Sequence, residues 1–234
     1  MNQNQEEAKA TEKKEIEGLP IFKLLSLVLD GEDVTVRDDQ YDFLWLPEAI
    51  KRCRKRGFRF RLIDSGHFDF SQLVWLVQAG ADLYTSEEVR PQNTELQFLS
   101  KTAQKGRAIV AYFLRSRTEE ESDKEAQDST LADAVNLAAS GAYLYISSKK
   151  AKLNLSQLSQ LARASHLAGS WLVYYHHGPL ESDLDRLAAS GAWIHLSNKS
   201  LQEEDEFPLL LSIIKSARYS GANLIFHLER GVDG

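Results

Sequence analysis

The chain has 234 residues, of which 43% are hydrophobic, 26% charged and 9% aromatic, a composition that excludes collagen-like and wholly disordered proteins. Its 28 basic and 34 acidic side chains leave a net charge of −6, which argues against coating nucleic acid through the overall field. No apolar run approaches the roughly 18 residues of a membrane-spanning helix, and a lone Cys53 excludes an internal disulfide or a multi-cysteine metal knot.

Residues 1–18 open with MNQNQEEAKATEKKE, which has neither an apolar face nor the apolar stretch of a secretory leader. A polar, disordered tail and a cytoplasmic location are therefore expected, with residues 19–234 forming one domain. Leu19 to Leu29, introduced by Pro20 and ended by Asp30-Gly31, has the pattern of a helix. Val34 to Arg37 is the candidate first strand. Helices are then expected near 44–56, 69–79, 93–105, 128–140, 155–168, 180–190 and 207–220. Between them lie strands at Phe58 to Asp64, Ala108 to Leu114 and Trp171 to His176, and four more with a shared signature. The acidic, Ser-rich stretch Ser116 to Ser129 reads as a long loop.

The signature is Gly-Ala-x-Leu/Ile followed by a short apolar run: Gly80-Ala-Asp-Leu-Tyr-Thr-Ser86, Gly141-Ala-Tyr-Leu-Tyr-Ile-Ser147, Gly191-Ala-Trp-Ile-His-Leu-Ser197 and Gly221-Ala-Asn-Leu-Ile-Phe-His227. Each glycine falls where a left-handed residue ends a helix, so the recurring unit is helix, glycine, strand. About eight strands alternating with helices imply parallel pairing and an α/β fold, a (β/α)8 TIM-like barrel. The helix that normally follows the last strand is missing from the pattern. The segment Leu19 to Leu29 is expected to take its place.

Aligning the four signatures by their glycines separates two faces, because neighbouring strand side chains point in opposite directions. Leu83, Leu144, Ile194 and Leu224, followed by Thr85, Ile146, Leu196 and Phe226, form a uniform face for packing against helices. The other face is varied: Asp82, Tyr143, Trp193 and Asn223, then Tyr84, Tyr145, His195 and Ile225, then Ser86, Ser147, Ser197 and His227. It is assigned to the barrel interior. The same register puts Arg59, Arg61, Ile63 and Ser65 there on the second strand, Val110 and Tyr112 on the fourth, and Val173, Tyr175 and His177 on the sixth. A one-residue slip would exchange these with Asp64 and His176, so His176 and His177 are named together.

Strand C-terminal ends carry the active sites of this architecture, and there the sequence collects His177, His195, His227 and Glu229, with Asp64 and His67 after the second strand. His177, His195, His227 and Glu229 are the candidate catalytic residues. His227-x-Glu229 on one strand face, together with His195, suits a divalent metal such as zinc or manganese, or a carboxylate-oriented general base. Imidazoles hydrogen-bonded to neighbouring Tyr and Ser, without chemistry, are the structural alternative. Arg61, Tyr84, Tyr145, Tyr175 and Ser197 are the candidate substrate-binding residues, Arg for its forked donors to an anion and the tyrosines for a sugar or other polar ring. Alternatively, Arg59 or Arg61 pairs with Asp82 on the adjacent strand.

Barrel metallohydrolases carry a His-x-His on the first strand, whereas Val34-Thr-Val-Arg37-Asp38-Asp39 stands here, so no family is assigned. A nucleophile elbow, a P-loop and G-x-G-x-x-G are likewise absent. The basic run Lys51-Arg-Cys-Arg-Lys-Arg56 reads as the cationic end of a helix or a contact for an acidic partner. Cys53 within it has no base beside it and reads as a bystander. The leading expectation is a barrel hydrolase acting on a small polar ligand, phosphorylated or carbohydrate-like. The competing one is a non-catalytic barrel that binds a ligand or assembles with a protein partner.

Overall fold

A computed structural model describes residues 20–91, 93–114, 124–150, 153–197, 200 and 206–227. Helix α1 (Pro20–Leu29) leads into β1 (Val34–Arg37), a short 3-10 turn (Phe43–Trp45) and α2 (Leu46–Lys55). Then follow β2 (Phe60–Ile63), α3 (Phe70–Ala79), β3 (Ala81–Ser86), α4 (Asn93–Lys105), β4 (Val110–Leu114) and α5 (Lys124–Ala139). The last elements are β5 (Tyr143–Ser147), α6 (Leu155–Leu167), β6 (Leu172–His176), α7 (Asp183–Ala189), β7 (Trp193–Ser197), α8 (Phe207–Ser220) and β8 (Leu224–His227). The eight strands form one sheet in chain order, and the pairings on either side of β3–β4 are parallel. Parallel neighbours joined by helices are the (β/α)8 barrel pattern.

The chain divides into two compact units. One takes in Met1–Tyr84 and Thr102–Ile109, the other Thr85–Lys101 and Val110–Gly234. In the first, α1 packs beside α2, and α3 starts on a capping box in which Asp69 accepts from the Gln72 amide while Gln72 accepts from the Asp69 amide. In the second, α6 starts on the same device, built from Asn154 and Gln157. There α7 and α8 are pinned by the Ser220 hydroxyl, which donates to the Ala188 carbonyl at 2.7 Å.

The helix-packed face is where the sequence pattern places it. Leu83, Leu144 and Ile194 are fully buried, as are Leu73, Leu76 and Val77 on α3 and Leu187 and Ala188 on α7. Coverage is thinner on β8, where Leu224 is half-buried and Phe226 is 40% exposed. No helix among the described residues is long and apolar enough to cross a membrane. The tail, residues 1–18, lies outside the described residues. Most of the expected loop Ser116 to Ser129 does too, but α5 already begins at Lys124.

The four signature glycines all take positive φ, from 73° at Gly221 to 108° at Gly80, where a side chain would meet the following carbonyl. Gly106 does not. The left-handed residue there is Arg107, with φ 56°, one position later than in the other units. This displacement overturns the expected register of β4. Ala111 pairs with Tyr143 and Phe113 with Tyr145, so Ala111 and Phe113 share the polar face. Val110 and Tyr112 are buried on the helix side, where the Tyr112 hydroxyl donates to the Arg90 carbonyl.

What fixes glycine at position 106 is contact. A Cβ there would sit 2.6 Å from the Val77 carbonyl oxygen and 3.1 Å from that of Gln78. Gly106→Ala is therefore expected to destabilise by about 1–3 kcal/mol through forced backbone movement, read as a lower urea midpoint. An unchanged midpoint would show that α3 and the end of α4 can separate freely.

The three arginines of the basic run, on and just after α2, are occupied by the fold. Arg52 pairs with Glu48 at 2.8 Å, Arg54 donates to the Arg107 carbonyl at 2.8 Å, and Arg56 donates to the Val28 and Leu29 carbonyls at the end of α1, both at 3.1 Å. Such carbonyls end a helix without intrahelical donors, and a guanidinium satisfies them. Cys53 is buried and its thiol donates to the Arg59 carbonyl. Burial pushes its pKa up despite the neighbouring arginines, which makes it an inert thiol.

Candidate functional site

In the first unit, buried acids organise the strand ends. Asp38, fully buried after β1, accepts from the backbone amides of Ser65 (3.0 Å), His67 (3.0 Å) and Phe68 (3.4 Å) and from the Ser65 hydroxyl. Burial alone would raise its carboxyl pKa. The hydrogen bonds from Ser65, Phe68 and His67 outweigh that and hold it below the ordinary value. Asp64 is also buried and accepts from the Gly66 amide at 3.0 Å. The β2–α3 turn that carries His67 is thus built on carboxylates, and the His67 ring lies against Phe68 with centroids 5.4 Å apart.

Arg59, just before β2, and Arg61 within it are committed to acids in the same unit. Arg59 pairs with buried Asp82 at 2.8 Å, and Asp82 also accepts from the Ile109 amide at 3.0 Å. Arg61, expected to hold an anionic substrate, instead pairs at 2.7 Å with Asp33, the residue before β1. Its guanidinium is therefore drawn toward the strand N-terminal end. Tyr84 stands half-buried opposite Ile63 on the same face.

The second unit brings together the histidines of β7 and β8. Parallel pairing sets His195 opposite Ile225 and Ser197 opposite His227, so both imidazoles project from one face, one step apart. Their Nδ1 (His195) and Nε2 (His227) atoms are 2.7 Å apart, and the rings are stacked with centroids at 4.9 Å. Tyr175 on β6, opposite His195, closes the other side, its ring 4.5 Å from that of His195 and 6.3 Å from that of His227. Burial and the neighbouring His227 charge pull the His195 pKa down to about 4. At neutral pH it is an uncharged imidazole, and burial pushes the pKa of the Tyr175 phenol up.

A 2.7 Å separation fits one shared proton. Two nitrogens on a tetrahedral zinc at its usual bond length stand about 3.3 Å apart, so this pair must open before both atoms bind one metal. Among the described residues no group of three or more His, Cys, Asp or Glu is placed to hold a metal. Glu229, the third expected ligand, lies outside the described residues.

The remaining candidates divide. Ser197 is buried beside His227, on the same face. Tyr145, two strands from His195, stacks on Phe113 with centroids at 4.7 Å. His177 follows β6 as an exposed residue whose amide donates to the Ser148 hydroxyl. Its neighbour His176 is buried toward the helices, with Nε2 2.7 Å from the Pro179 carbonyl. Trp193, below His195 on β7, packs against Trp171 at 5.3 Å, and its buried Nε1–H has no acceptor among the described residues.

No family model and no curated protein matches the chain. Among solved structures, a deoxyribose phosphate aldolase from Aeropyrum pernix is similar with a TM-score of 0.35 at 11% identity, over 89% of this chain and 92% of that one.

Two features escaped the sequence reading. Asp38 was visible only as part of a segment lacking a metal motif, although alternation from buried Val34 and Val36 puts it on the buried face. The direct His195–His227 contact was not expected either. The aligned signatures place the two imidazoles on one face, but ring contact depends on the stagger between β7 and β8.

Proposed function

We propose that the chain is an acid–base enzyme, a hydrolase of a small polar substrate, with His195 and His227 acting as one proton-transfer unit. The observation that supports this is the 2.7 Å contact between His195 Nδ1 and His227 Nε2, joining a half-buried imidazole to an exposed one. With hydrogen on His195 Nδ1, its Nε2 keeps a lone pair for the substrate side. Water attacking the substrate gives its proton to His195 Nε2. The protonated ring then returns a proton to the departing group, while His227 relays exchange with solvent. Tyr175 holds the His195 ring by a tilted ring contact, and Ser197 flanks His227. His177 and Glu229 remain further candidates, and a zinc or manganese ion at His195, His227 and Glu229 is the metal-dependent form of the same proposal.

Turnover of a chromogenic panel of nitrophenyl glycosides, phosphate and acetate tests the proposal. At least one member should be hydrolysed by the wild-type chain, insensitively to chelator, and lost in a folded His195→Gln variant. No turnover of any member, or turnover unchanged in the variant, contradicts it. Loss on chelation alone selects the metal-dependent form.

A second reading, a non-catalytic assembly module, draws on α8, where Phe207 is 60% and Leu211 40% exposed one turn apart. A stable oligomer dispersed by Leu211→Glu would support it.

A further inference from the structure

The polar face of β4–β8 has a chemistry that narrows the ligand. Register places Phe113, Tyr145, Tyr175 and Trp193 on it, with Ser147 and Ser197 nearer the strand C-terminal ends. None of the side chains that β4–β8 place on this face is Lys, Arg, Asp or Glu. A phosphate needs cations or clustered amides, and the strand side chains of this face supply no cation. The face offers neutral hydroxyls and imidazoles, each able to donate and accept, mounted on aromatic rings. Phe113 is 39% exposed, and Tyr143, Tyr145, Tyr175 and Trp193 are half-buried, so the rings present carbon surface to a solute.

The rings are also largely turned toward each other. Phe113 stacks on Tyr145, Trp171 tilts onto Trp193, and Tyr175 onto His195. A nucleobase needs an open ring face on which to stack, and Phe113 covers one face of Tyr145. What the face offers a ligand is exposed aromatic carbon and the neutral hydroxyls of Tyr143, Tyr175 and Ser147. A pyranose matches them, since its hydroxyls pair with amphoteric neutral groups and its C–H surface lies against aromatic carbon.

We infer that the β4–β8 face binds an uncharged hexopyranose ring, with Tyr145 and Tyr175 as its platform beside the His195–His227 pair. This rests on the acid–base reading for the reaction but not for the binding. It selects the carbohydrate-like over the phosphorylated substrate.

The test uses the full chain with methyl β-glucopyranoside, methyl β-galactopyranoside and methyl α-mannopyranoside, alongside glucose 6-phosphate and adenosine. Saturation-transfer NMR and tryptophan fluorescence report binding. At least one methyl hexoside should bind, with saturation strongest at ring C–H protons. Glucose 6-phosphate should bind no tighter, and Tyr145→Ala should weaken binding about tenfold while the thermal transition stays cooperative. Tyr143→Phe removes one hydroxyl without touching the stacked rings and should weaken binding only a few-fold, which keeps the test open if Tyr145→Ala does not fold. No hexoside binding to the folded wild type overturns the inference, as does tighter binding of glucose 6-phosphate or of adenosine. Hexoside binding without turnover defeats the acid–base reading alone. Turnover lost in His195→Gln without hexoside binding defeats this inference alone.

Discussion

Asp38→Ala is expected to cost about 3–5 kcal/mol of folding free energy, close to the whole stability of a marginal domain. The estimate follows from what the carboxylate does. It is fully buried and accepts from three backbone amides and one hydroxyl at the turn after β2. Removing it leaves those donors without an acceptor, at about 1–3 kcal/mol for each one that water cannot reach. Partial relaxation of the turn keeps the sum below the maximum. The sign with pH is fixed by the lowered pKa: the contribution is complete above the unfolded value of 3.8 and is lost as pH falls through the lower folded value. Urea unfolding at pH 7 measures the cost, and a change below about 1 kcal/mol would mean that the turn does not depend on Asp38.

His195→Gln is expected to lower kcat/KM about 100-fold on whichever substrate of the panel turns over. General acid–base catalysis contributes roughly 10²–10⁴, and the lower end applies here for a physical reason. A base with a pKa of about 4 is always free to accept a proton at pH 7 but binds it weakly, far from the optimum near neutrality. The same depression sets the pH profile. Wild-type activity should persist well below pH 6.5 and fall only as His195 protonates near pH 4. Removing the His227 charge by His227→Gln lifts one cause of the depression but leaves burial, the larger one, so the acid limb should move up only part of the way toward pH 6.5. An acid limb at pH 6.5 or above in the wild type would show that His195 is not the group that titrates.

The fold was legible because its grammar is local. A left-handed glycine, then alternation, locates both faces of β2, β3, β5, β6, β7 and β8. Counting fails on β4 because Arg107, not Gly106, takes the left-handed conformation. Counting from Arg107 restores the observed face, with Ala111 and Phe113 two steps apart on the polar side. Gly106 is kept by a close carbonyl at 2.6 Å, a tertiary cause with no trace in a single sequence. The site was legible to the same extent. Strand alternation places His195, His227, Tyr175 and Ser197 on one face, because all four follow from register. It does not reveal that Arg61 turns to Asp33, or that His176 rather than His177 is buried, since those depend on where neighbouring loops supply acids and carbonyls.

The most direct test of the central claim needs no substrate. Nitrogen-15 NMR of the imidazoles, followed from pH 8 to pH 3.5, reports the protonation state and tautomer of each ring. The account predicts a neutral His195 down to about pH 5, titrating near pH 4, with a hydrogen-bonded Nδ1 whose signal changes in His227→Gln. A His195 that titrates at or above 6.5 and is indifferent to His227 would contradict it.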